Sequence, residues 1–237
     1  MAKWIERTKL LLGNESLEKL KKANVLVVGL GGVGAMAAEQ IVRAGIGFIT
    51  IIDADSVEET NINRQMPALH STIGKTKADI LAERLLDINP ELNINSLKEY
   101  LRTDRIIEVL ETPFDYVVDA IDTLSPKVYL IYRSIEKNIP IVSSMGSGGK
   151  LNPALISVVD INKTYNCKLA RMVRKRLHKL GVKKGVKVVF SPENVDKEAV
   201  TLEQGTNKAS NVGTISYMPN MFGCYCASVV IRDLIDK

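Results

Sequence analysis

The chain has 237 residues, of which 46 % are apolar and 25 % charged, the balance of an ordinary globular protein with ample material for a buried core. No stretch approaches the roughly 20 uninterrupted apolar residues of a spanning helix. Met1 to Glu6 also lack the apolar run of a secretory signal, so membrane-spanning and exported classes are excluded and a cytoplasmic location is expected. Net charge is +5, and the three cysteines (Cys167, Cys224, Cys226) form no C-x-x-C pair, which excludes a four-thiolate zinc site within one chain and leaves buried or partly buried free thiols.

An N-terminal helix, with Trp4 as its packing anchor, precedes the apolar run Asn24 to Val28, which reads as a buried parallel strand ending at Gly29. A helix is expected from about Val33 to Ala44, then a second strand from Phe48 to Ile52, ending at Asp53. The alternation continues. Gly74 to Ile88 has helical periodicity and stops at Asn89-Pro90. Leu92 to Leu97 and Tyr116 to Ala120 read as strands around a helix over Asp104 to Leu110; Pro126 to Lys137 is helical and Ile139 to Ser143 extended. Beyond Gly146-Ser147-Gly148-Gly149, strands over Leu155 to Val159 and Val186 to Phe190 flank a helix over 166–180. The polar stretch Pro192 to Asn211 shows no periodicity, and a last helix starts near Thr214 to Met218 and runs to Leu234.

Such alternation predicts an α/β fold: a Rossmann-like, doubly wound, mainly parallel sheet whose C-terminal portion extends the same sheet. The expected organisation is a single domain over 1–237, with one half at 1–150 and an extension at 151–237.

Gly29-Leu30-Gly31-Gly32-Val33-Gly34 matches G-x-G-x-x-G between a strand and a helix. Glycines permit positive φ and close backbone approach, so amide groups and the helix N-terminus can face a phosphate. Asp53 stands about 20 residues on, where a carboxylate binds ribose hydroxyls, and Asp55 can share that role. NAD and ATP fit this much equally well. The residues after Asp55 discriminate. Asn61-Ile62-Asn63-Arg64-Gln65 lies just past it, and Lys75 and Lys77 open the next helix. Fixed cations are surplus in a hydride-transfer pocket, but an enzyme that splits ATP between its α- and β-phosphates needs them against developing charge. It also needs a carboxylate for Mg²⁺, and Asp122, past the strand end at Asp119-Ala120-Ile121-Asp122, is suitably placed.

From Lys163 to Lys187 ten basic residues (Lys163, Lys168, Arg171, Arg174, Lys175, Arg176, Lys179, Lys183, Lys184, Lys187) occur with no Asp or Glu among them. Such a stripe is either a solvated helix face or the electrostatic footprint of a nucleic-acid binder.

These markers, with Asn89-Pro90 and Gly74-Lys75-Thr76-Lys77, resemble the ubiquitin-activating-enzyme-like superfamily, which includes bacterial activators of sulfur-carrier proteins. The resemblance covers nearly the whole chain. It implies that Arg64 and Lys77 contact the triphosphate of ATP, that Asn61 helps place it, and that Asp122 coordinates Mg²⁺. With Gly29, Gly31, Gly32, Gly34, Asp53, Asp55 and Gln65 these residues make the implied nucleotide site. Arg7 looks like the family's N-terminal arginine, which reaches the neighbouring subunit's nucleotide and implies a homodimer. Carrier-protein activators usually hold zinc in two C-x-x-C pairs, and conjugation-type relatives need further domains. What remains is similar to the tRNA threonylcarbamoyladenosine dehydratase branch, through Gly146 to Pro153, Arg174 to Leu177 and Val189 to Glu193.

The implied chemistry is adenylation of the threonyl carboxylate of a modified tRNA adenosine, then ring closure with loss of AMP. The basic stripe becomes the tRNA contact (Lys168, Arg171, Arg174, Lys175, Arg176, Lys179), and a sulfur-relay protein is a candidate partner. One departure is the absence of a cysteine in Lys208 to Gly213, where some dehydratases carry one. The alternatives are an adenylyltransferase for a Gly-Gly-tailed carrier protein, a nucleotide-regulated RNA-binding module, and, last, an NAD-dependent dehydrogenase. His70 is expected to make a local hydrogen bond, and His178 to belong to the basic face.

Overall fold

The computed structural model describes residues 3–201 and 211–236. In chain order the main elements are α1 (Glu6–Lys22), β1 (Asn24–Val28), α2 (Gly34–Arg43), β2 (Phe48–Ile52), α3 (Lys77–Ile88), β3 (Asn93–Leu97), α4 (Thr103–Val109), β4 (Tyr116–Asp119) and α5 (Leu124–Glu136). Then come β5 (Ile141–Ser144), β6 (Ser157–Asp160), α6 (Lys168–Lys179), β7 (Lys187–Phe190), the short strands β8 (Val200–Thr201) and β9 (Asn211–Val212), and α7 (Tyr217–Ile235). The main sheet has seven strands in the order β3-β2-β1-β4-β5-β7-β6. Six of them run parallel and the edge strand β6 is antiparallel to β7. The expected mainly parallel, doubly wound sheet is therefore present, and β6 and β7 extend it as anticipated. The polar stretch after Pro192 contributes only the two-stranded ribbon β8–β9.

The apolar runs explain the order. Val25, Leu26 and Val27 of the central β1 have no exposed surface, as befits a strand covered by helices on both faces. One face packs against α2, α3 and α7 through Val25, Val27, Ile41, Leu81, Phe222 and Val230. The other packs against α4, α5 and α6 through Leu26, Val117, Ile106, Ile131 and Val173. Full burial of each such side chain contributes about 1.5–3 kcal/mol. α7 lies so close along α2 that a Cβ at Gly223 would overlap the Val33 carbonyl. α3 begins three residues later than the periodicity suggests, because Thr76 caps it: its Oγ1 accepts the Asp79 N–H and donates to the Asp79 carboxylate.

Trp4 is not the anchor of the N-terminal segment. Its side chain is 42 % exposed, whereas Ile5 is buried against Gly45. α1 itself is broken at Gly13 (φ +80°), so the stretch before it, carrying Arg7, Leu10 and Leu11, leaves the core while Leu17 and Leu20 enter it.

At the N-terminal ends of the strands a polar clasp joins α7 to the sheet. The Tyr116 hydroxyl donates to Asp233 at 2.7 Å, and Lys187 Nζ lies 2.5 Å and 2.7 Å from the same carboxylate. Partial burial pushes the Asp233 carboxyl up, but the hydrogen bonds from Lys187 and Tyr116 outweigh it and hold it below the usual carboxylate range. A carboxyl with a depressed folded-state pKa contributes stability above its unfolded pKa and loses it as pH falls through the folded value. Asp233→Asn is thus expected to lower stability by about 1 kcal/mol at pH 7, with the difference shrinking below about pH 4. Urea unfolding of both proteins across that range measures it.

Candidate nucleotide and acceptor site

The loop between β1 and α2 carries the four glycines, and they do not serve one purpose. Gly29 has φ +87°, and a Cβ there would meet the Ala120 carbonyl at 2.7 Å. Gly32 is pressed by Pro219 and the Arg64 carbonyl, while a Cβ on Gly34 would overlap the Gly29 carbonyl. Gly31 differs: a Cβ there meets nothing nearer than the Gln65 amide at 3.7 Å. Three of the glycines are therefore required by the protein's own packing. Gly31 instead leaves a backbone face open, as a phosphate or nucleotide approaching the chain demands.

Four segments converge on this loop. Asp53 at the end of β2 accepts the Leu30 N–H through Oδ2 (2.5 Å) and the Asp55 N–H through Oδ1 (2.8 Å). Burial pushes the Asp53 carboxyl upward, against the pull of Leu30 N–H and Lys77. Each of its oxygens retains a second lone pair for a ribose hydroxyl. Lys77 at the start of α3 is buried along its stem, and its amine meets Asp55 at 2.9 Å, while Lys75, two residues earlier, is exposed.

In the second segment, Asn61 is buried and accepts the Glu58 N–H, so it shapes the 3-10 turn over Glu59–Asn61. Arg64 follows, half-buried, its Nη1 donating to the Thr60 carbonyl and the Asn63 side chain, both at 2.8 Å. Gln65 Oε1 is buried without a hydrogen-bond partner among the described residues, beside Gly31. A buried acceptor left unsatisfied costs roughly 1–3 kcal/mol, so this orphan is an observation that a nucleotide's donor would account for. Asn63 Nδ2 donates to the Thr214 carbonyl, tying the segment to the connection between β9 and α7.

The loop after β4 is the third segment, and it rests on a residue absent from the sequence-predicted site. Lys127 of α5 has no exposed surface, and its Nζ lies 2.8 Å from both Asp119 Oδ2 and the Ile121 carbonyl. Asp119, also wholly buried, accepts from the Ser143 hydroxyl (2.5 Å) and from the Ile121 N–H (3.1 Å). Both polar groups of the Ile121 backbone are thereby fixed, and Asp122 follows directly, exposed at the mouth of the loop. A signal exists in the sequence: Lys127 falls on the same helical stripe as Leu130, Ile131 and Ser134, where a charge needs a partner. Cys226 is packed nearby, and burial pushes its thiol up to about 12, so it is an inert core residue. Cys224 is half-buried and Cys167 buried.

The fourth segment is the Pro219 turn of α7 over Gly32.

The residues fit a nucleotide with Mg²⁺ on the structure's own terms. An open glycine backbone and a buried-stem lysine suit a triphosphate, and an exposed carboxylate suits its metal, since Mg²⁺ commonly takes one or two carboxylates plus phosphate oxygens. No cluster of three or more His, Cys, Asp or Glu that could hold a metal by itself occurs among the described residues.

The basic stripe is not uniform. Lys168, Arg171, Lys175, Arg176 and Lys179 are exposed on α6, opposite its buried Ala170, Val173 and Leu177. With Leu124 and Met172, the last four line an open cleft of about 380 Å³ beside the start of α5. Arg176 reaches across to the Ser125 hydroxyl at 2.8 Å, so the cleft adjoins the Asp122 loop. Arg174 is the exception. Its Nη1 donates to the Thr164 carbonyl (2.9 Å), the Thr164 hydroxyl (2.5 Å) and the Ile161 carbonyl (3.4 Å), so it braces a turn instead of joining the exposed face. His178 is exposed on that face, as expected, and His70 is exposed at the start of a 3-10 turn. Of the cysteine-free segment, 208–210 lie outside the described residues.

The sequence signature of the ThiF family matches residues 6–237. The chain belongs to that family. The superfamily resemblance drawn from the motifs is borne out. Among its relatives is a tRNA threonylcarbamoyladenosine dehydratase of Bacillus subtilis, 38 % identical over 237 residues covering 97 % of this chain and 93 % of that one. Another, of the same description, is from Escherichia coli, 40 % identical over 200 residues covering 80 % and 75 %. A crystal structure of the E. coli dehydratase in complex with ATP superposes with a TM-score of 0.90 at 35 % identity, covering 98 % of this chain and 93 % of that one.

Two outcomes test this ThiF-family site. Gly31→Ala is expected to leave stability within about 0.5 kcal/mol of the parent while weakening ATP binding, whereas Gly34→Ala loses about 4 kcal/mol or more; urea unfolding and nucleotide titration separate them. Lys127→Met leaves Asp119 charged and buried without its partner, and is expected to cost about 3–5 kcal/mol in the same unfolding measurement.

Proposed function

We propose that the chain is an ATP-dependent tRNA threonylcarbamoyladenosine dehydratase. The observation that carries the reading is the convergence of the Asp53–Lys77 pair of elements, the Arg64 segment and the Asp122 loop around the Gly29–Gly34 loop. That is a surplus for binding a dinucleotide and a requirement for splitting a triphosphate. Relatives with the same description extend over nearly the whole chain, which supports the acceptor.

In the reaction, an oxygen of the threonyl carboxylate attacks the α-phosphorus of ATP, and the bond to the β-phosphate breaks to release pyrophosphate. Arg64 and Lys77 neutralise the charge that develops on the phosphates, in a site where fixed donors need no reorganisation. Mg²⁺, when bound, supplies further charge neutralisation, and Asp122 is the residue to hold it. Asp53 and Asp55 receive the ribose, and Asn61 and Gln65 help to seat the nucleotide. The ureido nitrogen or oxygen then attacks the activated carbonyl carbon, the acyl–phosphate bond breaks, and AMP leaves with the oxygen that the product lacks. The net change is loss of water from the nucleoside. Holding the two reacting groups together is enough to close a ring without a protein nucleophile.

The five exposed cations of α6 and the cleft beside Asp122 are offered as the path of the tRNA backbone. Arg7 stands with Leu10 (86 % exposed) and Leu11 (84 % exposed) on the segment before Gly13. This apolar patch supports a homodimer in which Arg7 reaches the neighbouring subunit's nucleotide. A tRNA substrate also fits a cytoplasmic location, and no helix among the described residues is long and apolar enough to cross a membrane.

The deciding measurement is mass spectrometry of tRNA nucleosides after incubation with ATP and the protein. Threonylcarbamoyladenosine is expected to become lighter by one water, with AMP and pyrophosphate released in step. Arg64→Ala, Lys77→Ala and Asp122→Ala are each expected to lower kcat by about 100- to 1000-fold. Intact nucleoside after incubation with the parent protein, alongside adenylation of a Gly-Gly-tailed carrier, overturns the reading.

A further inference from the structure

The turn that Arg174 braces carries an aromatic side chain for which the core has no use. Tyr165 is 59 % exposed, and its ring meets Phe190 in a T-shaped contact, 5.8 Å between centroids and 70° between planes. Phe190 is buried, at 2 % exposure, while the tyrosine stays largely outside. The tyrosine hydroxyl takes no hydrogen bond among the described residues.

The backbone that presents this ring is unusually well held for a surface turn. Thr164 is buried, its hydroxyl donates to the Ile161 carbonyl at 2.7 Å, and Arg174 clamps the same residue through both its carbonyl and its hydroxyl. Asn166 then takes the left-handed conformation (φ +52°), which turns the chain into α6 directly after the ring. An exposed aromatic ring is thereby carried on a braced backbone at a definite place.

That place is the rim of the sheet where the nucleotide loop also lies. Phe190 ends β7, and the next residues of the turn pack on the loop after β5: a Cβ at Gly146 would stand 4.0 Å from Cys167 Sγ and from Leu169 Cβ. β5 pairs with β4, whose end carries Asp119 to Asp122. In sequence the ring lies between the exposed cations Lys163 and Lys168, with the exposed Arg171 one helical turn further on. Cations that track a phosphate backbone, interleaved with a rigid aromatic face, are the composition that single-stranded nucleic acid requires, because every base has a face to stack.

We infer that Tyr165 stacks on an unpaired base of the RNA acceptor near the adenosine that is modified, with Arg174 as the positioning residue that holds the ring in place. The inference rests on the RNA-modifying function proposed above, and adds to it a base-contacting residue distinct from the phosphate-contacting cations. It also gives the half-buried Arg174 a role that matches the hydrogen bonds its Nη1 makes to the turn.

The test compares binding of tRNA carrying threonylcarbamoyladenosine by the intact parent protein and by Tyr165→Leu, Tyr165→Phe and Arg171→Ala, each at several salt concentrations, with ATP binding and thermal unfolding as controls. Tyr165→Leu is expected to raise the Kd for tRNA about 10-fold with the slope of log Kd against log salt unchanged, since no phosphate contact is lost. Tyr165→Phe restores the affinity, because the ring and not the hydroxyl is used. Arg171→Ala reduces the salt slope by about 1. In a Trp4→Phe, Tyr165→Trp protein, the single tryptophan is expected to be quenched by an RNA hairpin and not by the matching duplex. If the parent neither binds nor dehydrates the tRNA, the proposed function falls and this inference with it. If the parent does both and Tyr165→Leu binds as tightly, or loses salt slope, the stacking role alone is overturned.

Discussion

The buried pair of Asp119 and Lys127 is the constraint from which the rest of the site is built. Taking two charges out of water is expensive, and the loss is offset only when geometry and additional hydrogen bonds are good. Here Ser143 and both polar groups of the Ile121 backbone complete the arrangement. A pair of apolar residues could fill the same volume with no such penalty. What the ions add is direction: they grip a single residue, Ile121, by its N–H and its carbonyl, at the point where β4 stops and the chain must turn toward the nucleotide. Ala120 is then held where its carbonyl limits Gly29, and Asp122 emerges at a fixed position.

That arrangement explains why the glycine loop tolerates so little. Its first glycine is crowded by the β4 loop, its third by α7 and the Arg64 backbone, and its last by its own first carbonyl. The loop is a junction at which three elements meet within van der Waals distance. Only at Gly31 is the missing side chain unexplained by protein atoms, and Gln65 with its unsatisfied oxygen stands there. A G-x-G-x-x-G pattern therefore mixes two requirements, closeness of the protein to itself and closeness of the protein to a ligand. Only the structure sorts one from the other.

The strand–helix alternation is legible in the sequence because parallel strands are continuous apolar runs and their crossovers are amphipathic, so the periodicities hardly compete. The glycine loop, Asp53, Arg64, Lys77 and Asp122 are legible for a different reason: they lie in short, ordered spacings that a strand–turn–helix context interprets. Lys127 is not, since a lysine in a helix reads as a surface residue until its partner across the fold is known. Arg174 shows the same failure in reverse. Counted by charge it belongs to the basic stripe, yet its Nη1 is engaged by the Ile161–Thr164 turn. Size alone points to Trp4 as an anchor, while the smaller Ile5 is the one that reaches Gly45. In each case residue type is legible and direction is not, because direction is set by contacts far away in sequence.

Direction is also what makes the two halves of the site one machine. The charges that would stabilise a splitting triphosphate come from the connection between β2 and α3 and from the β4 loop, on the two sides of β1. The exposed cations and the aromatic turn come from α6 and the β7 end, farther along the sheet. Both open on the same rim because in a parallel sheet every strand ends on the same side, so loops distant in sequence share one face. Arg176, bonded to Ser125 just beyond Asp122, is where the two meet. An acceptor lying along α6 would therefore bring its reacting group to the phosphates without any domain movement. Ring closure then needs only that the acceptor stay bound after activation, a task for which a cationic cleft and a fixed aromatic face suit better than a nucleophile.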